Sequence, residues 1–319
     1  MGSMSSSNIS DSTFILVGIP GLEGLHGWIS LPICSIYVIT VLANVCVLLI
    51  IKTEKSLHQP MYLFLSMLLF TDLVSCNAVL PKMLLIFWFN HQEISFDGCL
   101  VQMFFVTFFS IMGSSMLLVM AYDRYVAICH PLRYSTIFTS PFIMKIGLLV
   151  ALRGLLLVFP IPFLVKRLPF CQSHIIENIY CDHMTVAKLS CADIRFNVVY
   201  GLAVVVMVVG VDFVSVSVSY YIIVRTVMRL PFREARHKVW STCVSHICVI
   251  LVAYISAFFS SVYQRFGEHT TTSTQIILSN LYLILPAMLN PIIYGIKTKG
   301  IQRYVIRLLY PQRTNKQNI

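Results

Sequence analysis

Charge is what this chain is short of. Only 11% of its 319 residues are Asp, Glu, Lys or Arg, against 57% hydrophobic, whereas soluble domains carry about 25% charged residues. Too few charges are present to cover a water-facing surface of this size, and a mean hydropathy of +0.81 points the same way. An aqueous enzyme, a disordered chain and a collagen-like fibre are thereby excluded. Internal repeats, low-complexity tracts and interposed soluble domains are absent too. No Cys-x-x-Cys or Cys/His spacing suggests zinc, so His174 and His183 read as loop histidines and no cofactor is expected. No Lys or Arg precedes Trp28, and the apolar run beginning there is too long for a signal-peptide core.

Long apolar runs are what the chain does have. About 20 mostly apolar residues cross the hydrocarbon layer as a helix. Seven such runs occur: Trp28 to Ile51, Met61 to Phe87, Leu100 to Ala121, Phe142 to Leu164, Val198 to Val224, Val239 to Tyr263 and Ile276 to Ile296. Each must be helical, because an open strand in lipid leaves its backbone groups unpaired, and no barrel-like alternation is present. The expected fold is therefore an all-α membrane protein, a seven-transmembrane helix bundle spanning 28–296. Residues 1–27 precede it and a tail, 297–319, follows. In that tail, Ile301, Tyr304, Val305, Leu308 and Leu309 recur at helical spacing opposite Lys299, Arg303 and Arg307. Lys299 to Tyr310 thus reads as an amphipathic helix on the inner membrane surface, its basic face toward anionic lipid.

Orientation follows from the Lys/Arg distribution. The connections after the first, third and fifth spans plus the tail hold 16 of these residues, the opposite side holds 6, and Arg153 lies inside the fourth span. The expectation is an extracellular N-terminus and a cytoplasmic tail. The net charge of +10, which in a soluble protein would suggest nucleic acid, here reflects that asymmetry, and no nucleic-acid partner is expected. Asn8 opens a glycosylation sequon on the side read as extracellular. Cys34, Cys46, Cys76, Cys129, Cys243 and Cys248 fall in the spans or at the reducing face and read as buried thiols. Cys99, Cys171, Cys181 and Cys191 fall on the oxidising side, where four cysteines allow three pairings. Three of those four lie in the connection from Val165 to Asn197, the longest in the chain, which is expected to form a cross-linked lid.

Polar residues inside spans are costly and mark function by default. Asp72 sits mid-span, with Asn44 and Asn290 at similar depth. Together they could hold a sodium ion or waters, or serve only to fix helix packing. Asp212 and Arg153 have no evident partner in the sequence. Asp123-Arg124-Tyr125 closes the third span, where the plain alternative to a switch is an interfacial snorkelling arginine. Pro286 and Pro291 each remove a backbone hydrogen bond near Asn290 and Tyr294, weakening the seventh span. A polar centre with a bendable helix suits a two-state switch. Inverted repeats of a transporter and the catalytic pair of an intramembrane enzyme are not visible.

Pro60-Met61-Tyr62-Leu63-Phe64-Leu65, the stretch MAYDRYVAICHPLRY from Met120 to Tyr134, Ser241-Thr242-Cys243-Val244-Ser245-His246 and Asn290-Pro291-Ile292-Ile293-Tyr294 together resemble a vertebrate odorant receptor, a branch of the rhodopsin-like G-protein-coupled receptors. The resemblance covers nearly the whole chain. Phe14 to Gly21, Arg265 to Gly267 and Lys297 to Lys299 resemble the fish-like class I subgroup, whose ligands are often carboxylic acids. This likeness implies disulfides Cys99–Cys181 and Cys171–Cys191. It also implies that Asp123, Arg124, Tyr125, Tyr220, His246, Asn290, Pro291 and Tyr294 rearrange as the inner face opens to a stimulatory olfactory G protein, raising cyclic AMP. The implied location is the plasma membrane of olfactory cilia. A receptor of the same fold serving an endogenous metabolite outside the nose is the alternative. Three departures stand out: Ala43 replaces a customary Gly, Lys238-Val239-Trp240 replaces KAF, and Gly113 stands where many relatives carry glutamate, which weakens the case for sodium at Asp72.

The third span from Leu100 to Met120 holds no Asp or Glu, so it offers an amine no counter-ion. Arg265, just past the sixth span, could grip a carboxylate with two parallel hydrogen bonds, or could merely complement the helix dipole and pair with Glu268. The class I likeness favours carboxylate binding. Thr107, Ser110, Ile111, Val158, Gly201, Val205, Tyr254 and Ser261 are expected to line the rest of the pocket.

Overall fold

The computed structural model describes residues 13–21, 24, 26–171, 174–229, 233–266 and 272–309. Within these stretches the side chains at 263–266, at 307–309 and at scattered positions between 235 and 299 fall outside the description. Seven helical spans are long and apolar enough to cross a membrane. They are α1 (His26–Thr53), α2 (Pro60–Phe89), α3 (Phe96–Cys129), a fourth span made of α5 (Ser140–Val158) and α6 (Pro160–Lys166), a fifth made of α8 (Arg195–Val205) and α9 (Val211–Met228), α10 (Arg233–Phe266) and α11 (Thr272–Lys297). Two short helices, α4 (Tyr134–Ile137) and α7 (His183–Ala187), lie in connections, and α12 (Lys299–Leu309) follows the last span. Three strands, β1 (Thr13–Leu16), β2 (Glu93–Ser95) and β3 (Ile175–Ile176), complete the elements.

Helix ends follow local chemistry. Pro60 occupies the first turn of α2, where its missing N–H costs nothing, and Asn90 in the left-handed conformation (φ 51°) closes that helix. The Ser95 hydroxyl accepts from Gly98 N at 3.2 Å and caps α3. That helix runs to Cys129, eight residues beyond the apolar run ending at Ala121, because intrahelical bonds do not require apolar side chains and Asp123 finds its own partners. The fourth span, expected to be continuous from Phe142 to Leu164, breaks after Val158: Pro160 has no N–H to give Leu156, and the chain restarts with proline in the first turn of α6. The fifth span contains an unforeseen π turn at Val206–Gly210.

The strands were not foreseen from the sequence, and one of them lies in the segment before the first span. β1 is the central strand of a three-stranded sheet, antiparallel to β2 (Phe14 opposite Ile94) and parallel to β3 (Leu16 opposite Ile176). Its side chains alternate, so Phe14 and Leu16 enter the core while Thr13 and Ile15 face outward. The segment then turns at Gly18 (φ 83°), where a Cβ would lie 3.0 Å from the His26 ring. Ser273 at the start of α11 donates to Pro20 O at 2.8 Å, so the N-terminal segment is tied to both loops and to the seventh span.

The bundle core has two main parts. An outer cluster joins Phe14, Leu16, Met83, Met103 and Ile176 around the Cys99–Cys181 disulfide, and an inner one joins Phe64, Leu65, Met116, Met120, Tyr220 and Tyr294. The second disulfide, Cys171–Cys191, closes the long connection on itself, while the other six cysteines are free. Helix α3 is the hub, packing on α2, α5, α9 and α10. At the inner end α12 lies against α1 and α11 with Ile301 fully buried. Tyr310, the last residue expected in that helix, lies outside the described residues.

Candidate functional site

Two adjoining cavities run down the middle of the bundle. The outer one, about 850 Å³, is roofed by Tyr180 to Met184 of the long connection and walled by α3, α6, α8, α10 and α11. The inner one, about 700 Å³, shares six wall residues with it and reaches down to Asp72, Ser114, Tyr254 and Asn290. Both volumes include space open to solvent, and both walls are mainly apolar with a few hydroxyls, the character of a small-ligand site. The roof is fixed rather than draped: the Cys99–Cys181 bond pins it to the top of α3, Cys181 N donates to the Gln102 side chain at 2.9 Å, and Asp182 caps α7 by accepting from Met184 N at 3.0 Å and Thr185 N at 3.4 Å. The Tyr180 phenol, fully enclosed in this roof, has its pKa raised by burial and then by the charge of Asp182.

Of the residues expected to form the pocket, Thr107, Ser110, Ile111, Gly201, Val205 and Ser261 line the outer cavity, and Tyr254 lines the inner one. Val158 does not: it is fully buried behind the wall, in a cluster with Ile111, Val204 and Val208. Arg265 stands in the last turn of α10, four residues beyond Ser261. Its side chain lies outside the described residues, as do Glu268 and Asn8. Sequence reasoning missed Asp182, which brings a carboxylate to a wall where α3 supplies none. The signal was available, since a disulfide from Cys99 places whatever follows Cys181 over the top of α3.

Between the two cavities and the lipid lies a polar layer that resolves the two residues left without partners. Arg153 of α5 meets Asp212 of α9 at 2.9 Å, with Arg153 29% and Asp212 1% exposed. Arg153 also donates to Ser115 Oγ at 2.8 Å and to Met207 O at 2.9 Å. Met207 belongs to the π turn, whose wider winding displaces carbonyls from the regular ladder and offers one to the guanidinium. Ser114 donates to Asp212 at 2.9 Å and contacts the Tyr254 hydroxyl at 3.2 Å. Helices α3, α5, α9 and α10 are thus linked beside the inner cavity, whose wall includes Ser114 and Tyr254.

At the floor, Asn290 Nδ2 donates to Asp72 Oδ2 at 2.7 Å. Asn44 does not join them; it donates instead to the backbone of Thr40 and Ala287, at 2.8 and 2.9 Å. A cation here would be held by Asp72 and by Asn290 Oδ1, which is buried without a hydrogen-bond partner among the described residues. Gly113, whose added Cβ would lie 3.5 Å from Thr71 Oγ1, offers no side-chain ligand at this level.

The residues around the inner end of α3 are brought together. Arg124 lies 3.9 Å from Asp123, and Tyr134 of α4 donates to the same carboxylate at 2.8 Å. The Tyr134 phenol stays protonated for that role, its pKa raised by burial first and by the Asp123 charge second. Tyr125 meets His130 at 3.1 Å and faces away from this group. Tyr220 of α9 hydrogen-bonds His246 Nδ1 of α10, and the His246 ring lies 6.5 Å from that of Tyr294 in α11. Pro291 is buried one turn before Tyr294. His246 Nε2, the Tyr294 hydroxyl and Arg124 Nη2 are buried without hydrogen-bond partners among the described residues.

Residues 33–312 match the olfactory receptor family profile. Human relatives include olfactory receptor 52N4, 49% identical over 99% of this chain and 99% of its own length. Olfactory receptor 52N5 is 51% identical over 94% and 93%, and olfactory receptor 51E1 is 48% identical over 95% of each. With seven spans, a ligand-sized chamber and near full-length identity of about one half to these relatives, the chain belongs to the olfactory receptor family of membrane receptors.

Proposed function

We propose that this odorant receptor belongs to the class I subgroup, binds small carboxylic acids in the outer cavity, and activates a stimulatory olfactory G protein that raises cyclic AMP. It would act in the plasma membrane of olfactory cilia, with residues 1–27 outside, 28–296 in the bilayer and 297–319 in the cytoplasm. The orientation is supported by the 16 to 6 division of Lys and Arg. The acid reading rests on one observation: Arg265 follows Ser261, a cavity-lining residue, by one helical turn in α10. A guanidinium at that level would pair with a carboxylate while Thr107, Ser110 and the apolar walls of α3 and α8 hold the alkyl portion. Because α10 carries Arg265 and Ser261 near one end and His246 about five turns away, a ligand with higher affinity for one tilt of this helix would shift the inner face.

Arg265→Ala is expected to abolish cyclic-AMP responses to short carboxylic acids while surface expression persists, and Arg265→Lys to restore part of them. Unchanged acid potency in the alanine variant would remove the charge-pairing assignment. A second reading has its own support, since Asp182 lines the cavity and could hold an amine, contrary to the expectation from α3 alone. Matched-length acids and amines on Asp182→Asn separate the two: under the acid reading acids gain potency, whereas under the amine reading amine responses vanish.

A further inference from the structure

We propose that the inner end of the receptor carries a specific site for a phosphoinositide headgroup, formed where the α1–α2 connection meets α12. The connection is a 3₁₀ turn, Lys55–Leu57, directly after α1. Two contacts seat α12 on it. Ser56 Oγ lies 3.1 Å from the Tyr304 hydroxyl, and the α12 backbone comes so close at Gly300 that a Cβ would meet Tyr62 Oη at 2.9 Å and Leu57 Cδ2 at 3.0 Å. Ile301, fully buried, anchors the same turn of α12. The consequence is that three cationic positions flank this seam, Lys55 beside Ser56, Lys52 one turn earlier and Arg303 beside Tyr304. Lys52 closes α1, Lys55 opens the 3₁₀ turn, and Arg303 immediately precedes Tyr304; all three side chains are exposed.

Their charge is not spent internally. Among the described residues none of the three makes an ion pair, although Glu54 stands between the two lysines in sequence and His58 follows the turn. Lys299 and Arg307 lie one helical turn either side of Arg303 in sequence. A row of cations along one helix would attract any anionic lipid. Here Lys52 and Lys55 flank one side of a hydrogen-bonded seam and Arg303 the other, a placement that suits a compact headgroup carrying several phosphates better than dispersed single charges. The inner leaflet supplies such lipids, and the basic residues lie on the side that the charge asymmetry assigns to it. Lipid bound there would bridge α1 and α12 and hold the closing helix on the bundle, beside the Arg124 and Tyr294 region.

The test uses the full-length receptor in nanodiscs, where both membrane faces are reachable and the result does not depend on orientation. Binding of phosphatidylinositol bisphosphate is compared with phosphatidylserine at equal total lipid charge, by native mass spectrometry and by anisotropy of a labelled lipid. Preferential retention of the phosphoinositide is expected. Each of Lys52→Gln, Lys55→Gln and Arg303→Gln should weaken it about five-fold, and the triple variant about a hundred-fold. Lys145→Gln, an exposed cation at the inner end of α5, should leave it unchanged. Equal retention of the two lipids, or an equal loss from Lys145→Gln, would show diffuse attraction and overturn the site. Binding of soluble inositol trisphosphate as tight as that of the lipid would overturn the membrane source.

Discussion

Arg153 and Asp212 show how far a single residue can be from interpretable when its partner is distant in sequence. Each alone is a costly charge in the bilayer; together they form a pair satisfied by Ser115, Ser114 and a backbone carbonyl. Removing one member leaves the other desolvated and unpaired. Asp212→Asn is therefore expected to lower stability by about 3 kcal/mol, read as a fall in melting temperature of the purified receptor. Replacing both residues with leucine and methionine should recover most of that loss, and no recovery would mean the pair is not what holds α5 to α9. Val158 teaches the reverse: an apolar residue beside the chamber was expected to touch ligand, but helix rotation turned it into the wall. Rotation of that kind is set by packing, and no local sequence signal reports it.

Helices were legible because hydrogen bonding in lipid leaves almost no alternative to them, and the apolar runs mark their centres. Their irregularities were not. The π turn of the fifth span contains only Val, Met and Gly, with no proline to announce it. One of its carbonyls, that of Met207, accepts from Arg153, a tertiary contact. β1 was missed for a related reason: four residues of alternating burial gain their meaning only from two loops that are 80 and 160 residues away. Leu16 is fully buried beneath that sheet. Leu16→Ala should cost about 3 kcal/mol through the cavity it leaves, measured by thermal unfolding, whereas Ile15→Ala on the outer face should change little. Equal effects at the two positions would contradict the strand's register.

Helices α3 and α10 run past both the chamber and the Arg124–His246 region, and the polar layer joins them at mid-depth. On the outer side the chamber is sealed by a pinned loop; on the inner side Arg124, His246 and Tyr294 carry buried polar atoms that lack partners. We expect this region to rearrange when the receptor signals, as a packed bundle with two arrangements can. Arg124→Ala should silence cyclic-AMP output while leaving odorant binding intact, measured by ligand-induced thermal stabilisation alongside the signalling assay. Normal signalling from that variant would place the switch elsewhere.

The number of spans and their approximate bounds could be read from the chain alone, because hydrocarbon thickness acts on contiguous stretches of residues. Which side chains enclose the chamber, what neutralises Arg153, how the N-terminal strand is held and where Asp182 comes to lie were settled by packing. Those depend on how helices far apart in sequence are rotated against one another, and on a disulfide that carries a loop across the bundle. Pairwise geometry of this kind has no one-dimensional signature.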